Sequence, residues 1–145
     1  MKPEELAKNP NAPELLLKIA AGNADALRWM WSVWCFAHLY DDLVDGDKPV
    51  KPEEAAHELA RFVEQMACNA FFRQHSASLT ALMVSAINRW ITGEQMNKNE
   101  KASVRTMARA VRCGDVDLYL HVAYLIGGWN HMRAMSELMR FDGED

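Results

Sequence analysis

Residues 24–47, ADALRWMWSVWCFAHLYDDLVDGD, decide the fold. Placed at about 100° per residue, they put Leu27, Met30, Trp31, Trp34, His38, Asp41 and Asp45 on one helical stripe. The other sides carry Trp29, Val33, Phe36, Tyr40 and Val44. A helix that is apolar nearly all round belongs inside a bundle rather than on its surface. Its ends are marked too. Asn23 can accept from the first free N–H groups, Asp25 suits the positive N-terminus, and Gly46 stops the helix.

Outward from this segment, the chain reads as helix throughout. Pro13 opens a short helix that closes near Gly22. Pro52, Glu53 and Glu54 open another, to about residue 72, with Ala55, Leu59, Phe62, Val63, Met66 and Ala70 on its apolar face. Ser76 or Ser78 caps a fourth carrying Leu79, Leu82, Met83, Ala86, Ile87 and Trp90. A fifth spans about 100–112 and ends at Gly114. Asp115 caps a sixth, to about 140, which Gly127 and Gly128 bend or break. Nothing reads as a strand. The expectation is an all-α protein, one domain over 1–145, a bundle of five to seven helices with a central apolar helix at about 24–45.

Composition narrows the function classes. The 145 residues carry a formal net charge of −4, which argues against a general nucleic-acid or membrane-surface binder. No apolar run reaches the length of about 18 residues that spans a membrane. Cys35, Cys68 and Cys113 form no CxxC pair, so a cysteine zinc site is not expected. Their apolar or small neighbours suit reduced thiols. Together with a polar opening that holds Pro3, Glu4 and Glu5, this gives a cytoplasmic expectation. Nine Met and five Trp fit core filling.

The chemistry gathers at the end of the 24–45 helix. Carboxylates that continue a core stripe are expected to face a cavity, where unpaired like charges are costly. A divalent cation relieves that cost. Asp41 and Asp45 stand one turn apart and can both reach one Mg²⁺ or Mn²⁺, with Asp42 as a further ligand or catalytic base. His38 adds a nitrogen for a softer metal. The competing reading is a solvated helix end. On the sixth helix, Asp117 and His121 are also one turn apart and could supply ligands from a second helix. The alternative there is a core histidine oriented by a carboxylate. Lys98, Lys101, Arg105, Arg109 and Arg112 form one basic stripe. It could hold phosphates, or it could be a solvated face paired with the acidic stretch 41–58.

The segment Leu39-Tyr40-Asp41-Asp42-Leu43-Val44-Asp45-Gly46-Asp47 resembles the first aspartate-rich motif, DDxxD, of isoprenoid diphosphate synthases. That resemblance implies an all-α fold in which Asp41 and Asp45 bind Mg²⁺ that holds a diphosphate, with Asp42 in support. It covers about nine residues. The chain carries no second DDxxD, and Met96 stands where a cyclase-type second motif after Asn88 and Thr92 needs glutamate. In size and class the chain is also similar to MazG-like all-α nucleotide pyrophosphohydrolases, although their ExxE and ExxD motifs are not present as such. Two functions follow as expectations. One is a Mg²⁺-dependent hydrolase or transferase acting on a phosphate-containing small molecule. The other is a non-enzymatic helical interaction protein that buries its Trp- and Met-rich helix in a homo-oligomer or a partner.

Overall fold

The computed structural model describes residues 13–46 and 48–141, and it is all-α. Among the described residues seven helices run in order: α1 (Glu14–Ala20), α2 (Ala24–Asp45), α3 (Pro52–Cys68), α4 (Ala70–Gln74), α5 (Ser76–Asn97), α6 (Ala102–Arg112) and α7 (Gly114–Phe141). No strand occurs among the described residues, and none of their helices is long and apolar enough to cross a membrane. The chain divides into two compact units that meet in sequence at Gln74 and His75.

The first unit is built around α2, which touches α1, α3 and α4. Its caps are those its sequence suggests. The Asn23 side chain accepts from the Ala26 N–H at 3.0 Å, and Gly46 adopts the left-handed conformation with φ 67°. The Gly46 N–H returns to the Asp42 carbonyl, which closes the last turn. The core holds Leu16 and Ile19 from α1, Leu27, Trp29 and Met30 from α2, and Phe71 and Phe72 from α4. Trp29 has no exposed surface and stacks on Phe72, with ring centroids 5.5 Å apart.

Two expectations need correction here. The buried residues of α2 all fall between Ala26 and Ser32, so only its first half is core. Trp34, placed in the stripe by periodicity, is half-buried, and Trp29 is the central indole. The helix expected to reach residue 72 breaks at Asn69, whose backbone is extended. The break is made by the Asn69 side chain. Its amide donates to the Asp25 carbonyl and to Gln65 Oε1, both at 2.8 Å, and its Oδ1 accepts from the Phe72 N–H at 3.0 Å. It ties α2 to the chain just after α3 and caps α4 at once. The apolar stripe of α3 contributes no buried residue.

In the second unit α5 packs against both α6 and α7. Glycine sets the closeness of both contacts. A Cβ on Gly93 would lie 2.8 Å from Arg112 Cβ and 2.9 Å from the Ala108 carbonyl. One on Gly114 would lie 2.8 Å from Ala86 Cα. Helix α7 begins at Gly114 itself, so Asp115 sits inside it rather than at its cap. Gly128, at φ 77°, kinks α7 as the Gly127-Gly128 pair suggests. Leu79, Leu118, Tyr119, Val122 and Ala123 are buried.

Candidate functional site

The end of α2 carries the candidate metal ligands. Beyond Ser32 the helix has no fully buried residue. Phe36 stacks on Phe62 of α3 at 4.5 Å, and beyond that contact exposed residues occur on every side of the last turns of α2. Asp41 and Asp42 are consequently half-buried and Asp45 is exposed, rather than enclosed in a cavity. Asp47 lies outside the described residues. The exposed His38 ring turns back on its own helix. Its Nδ1 is 2.9 Å from the Trp34 carbonyl, and the ring stacks on Trp34 at 4.8 Å. Among the described residues no group of three or more His, Cys, Asp or Glu side chains is placed to hold a metal ion.

The second pair of candidates takes separate partners. Asp117 binds Arg89 Nη1 at 2.5 Å. The same guanidinium donates to the carbonyls of Val111 at 3.0 Å and Ala110 at 2.9 Å, so Arg89 caps the end of α6. His121 Nε2 lies 3.0 Å from Ser78 Oγ, and its ring stacks with Tyr124. The Ser78 hydroxyl donates to the His75 carbonyl at 3.3 Å, which leaves the His121 Nε2–H to donate to Ser78.

The basic stripe is divided. Arg105 donates to the carbonyls of Asn99 and Glu100, both at 2.7 Å, and so ties down the loop after α5. Arg112 pairs with Glu94 at 2.8 Å and lies over the Trp90 ring at 5.4 Å. Lys98, Lys101 and Arg109 are exposed. Arg112 thus finds its acid within its own unit rather than in the 41–58 stretch.

Periodicity did not single out a depression that the first unit carries among the described residues. It lies beside α2 and α3, encloses about 370 Å³, and is walled by Arg28, Trp31, Ala60, Arg61 and Glu64. Arg61 reaches Cys35 Sγ at 3.8 Å and Glu58 Oε1 at 3.9 Å. Burial pushes the Cys35 thiol up, against the opposing pull of Arg61, so it stays protonated at neutral pH. No sequence signal marks this cleft, because its residues are scattered over two helices at no motif spacing.

Compared with known protein families, curated proteins and solved structures, the chain finds no significant match.

The His121 environment gives a pH prediction. Burial, then the neighbouring His75, holds the His121 pKa below its usual 6.5. The unfolded chain therefore binds this proton first as pH falls. The contribution is complete above about 6.5 and is lost on acidification through the window below it. The melting temperature should drop across that window, and His121→Gln should flatten the drop. Parallel pH profiles for parent and variant would assign the titration elsewhere.

Proposed function

We propose that the chain is a helical self-association module whose interface is the uncovered apolar face of α2 and α3. The observation that supports this reading is α3 itself. It is strongly amphipathic in sequence, yet none of its residues is buried, and Leu59 and Val63 are 51% and 56% exposed. The end of α2 adds Tyr40, Leu43 and Val44, all exposed. Clusters of exposed large apolar side chains mark interaction sites when they join into one patch. The second unit carries an exposed stripe of its own, Val84, Ile87 and Ile91, at steps of three and four along α5.

Self-association couples folding to concentration. The melting temperature of the parent should rise with protein concentration. A Leu59→Glu, Val63→Glu double variant should melt independently of it, because charges at the centre of an apolar interface are left desolvated. A parent whose melting temperature ignores concentration counts against the reading.

A second reading keeps Asp41 and Asp45 as Mg²⁺ or Mn²⁺ ligands for a phosphate-containing substrate, with Asp42 beside them. Its support is their one-turn spacing on α2. Its test is a metal-dependent rise in melting temperature that Asp41→Asn and Asp45→Asn abolish.

A further inference from the structure

We propose that the cleft beside α2 and α3 binds a small zwitterion with a flat apolar body, the chemical class of an aromatic α-amino acid. Its volume of about 370 Å³ suits a ligand of that size, and a second depression of about 250 Å³ continues it, sharing Arg28 and Glu64.

The polar groups around the cleft are incompletely matched to each other. The Arg61 side chain is only 25% exposed, yet its contacts to Glu58 and Cys35 are 3.9 Å and 3.8 Å. The Cys35 contact is a long, weak N–H···S bond and the Glu58 contact is too long for an N–H···O bond, so most of the five donors of the Arg61 guanidinium make no strong bond within the protein. Glu58 Oε2, on the same helix one turn earlier, is buried with no hydrogen-bond partner. Arg28 is held on one side by Asp25, and its side chain walls both depressions.

Charge decides what kind of ligand fits. The walls of the two depressions carry Arg28 and Arg61 as positive groups, Asp25 and Glu64 as negative ones, and His57, with Glu58 beside Arg61. A phosphate dianion would meet those carboxylates. A carboxylate that carries its own ammonium leaves the balance unchanged. Its two oxygens match the guanidinium fork of Arg61. Its ammonium is matched by Glu64 at the cleft wall. The flat body then lies along Trp31 and Ala60 and covers the apolar surface they leave to solvent. None of these residues belongs to the apolar face assigned to self-association, so the two readings stand or fall separately.

The test is an amide-resolved NMR titration of the full chain with L-phenylalanine, benzoate and 2-phenylethylamine. L-Phenylalanine should give saturable shifts around Trp31, Ala60 and Arg61 at millimolar concentration. Benzoate and 2-phenylethylamine, each lacking one charge, should bind at least about tenfold more weakly, the value of one charged hydrogen bond. Arg61→Met should abolish the shifts. Ala60→Phe fills the cleft from an exposed helical position and should abolish them too, which keeps the test valid if Arg61→Met fails to fold. No saturable shift with L-phenylalanine overturns the proposal. So does equal affinity for benzoate, or binding that survives Ala60→Phe.

Discussion

Replacing Trp29 with alanine destabilises the protein by about 3–5 kcal/mol, the range for truncating a buried large aromatic side chain. Trp29 is fully enclosed and stacks on Phe72, so its loss empties the centre of the first unit and removes the surface on which α4 rests. The indole N–H is buried without a hydrogen-bond partner. Trp29→Phe removes that unmet donor along with part of the volume, and should therefore cost clearly less than the alanine variant. Trp34→Ala, at a half-buried position, should cost less than either. Thermal or urea unfolding of the three variants checks the order. Equal costs at positions 29 and 34 would place the centre of the core elsewhere along α2.

Asn69→Ala is the second large effect, about 2–4 kcal/mol. The substitution removes the cap of α4, worth about 1 kcal/mol. It also removes the bonds donated to the Asp25 carbonyl and Gln65 Oε1, each worth about 0.5–1.5 kcal/mol. Asn69 is 5% exposed, so water does not readily replace those bonds. Asn69→Asp keeps the acceptor that caps α4 but turns a carboxylate oxygen toward the Asp25 carbonyl and Gln65 Oε1 at a buried position, and should cost at least as much as alanine. An alanine variant that unfolds like the parent would show that the break between α3 and α4 does not depend on this side chain.

Asn69 also shows where the sequence is legible and where it is not. The helix from Ala24 to Asp45 could be delimited from Asn23 and Gly46 alone, because a cap acts on groups within a few residues of itself. Asn69 acts locally on Phe72 and remotely on Asp25, 44 residues away. Periodicity carries an apolar face straight through it, from Ala55 to Ala70. The stripe from Leu27 to Asp45 fails for a related reason. Periodicity tells which residues share a side of a helix but not how far along that side a neighbour extends, and full burial stops at Ser32.

The candidate site divides along the same line. The one-turn spacing of Asp41 and Asp45 is a local property and survives in the structure. Their enclosure depended on neighbouring helices, and Asp45 is exposed. Asp117 and His121 share a helix, but their partners, Arg89 and Ser78, come from another one. Arg89 was not singled out, since its role rests on carbonyls 21 and 22 residues away.

The uncovered face of α3 is tested most directly by the mass of the chain in solution. Sedimentation equilibrium over micromolar to hundred-micromolar concentration should give a mass above the 16.5 kDa of one chain. The mass should rise with concentration, and the Leu59→Glu, Val63→Glu variant should return it to the single-chain value. A parent that stays at 16.5 kDa throughout that range would contradict self-association through this face.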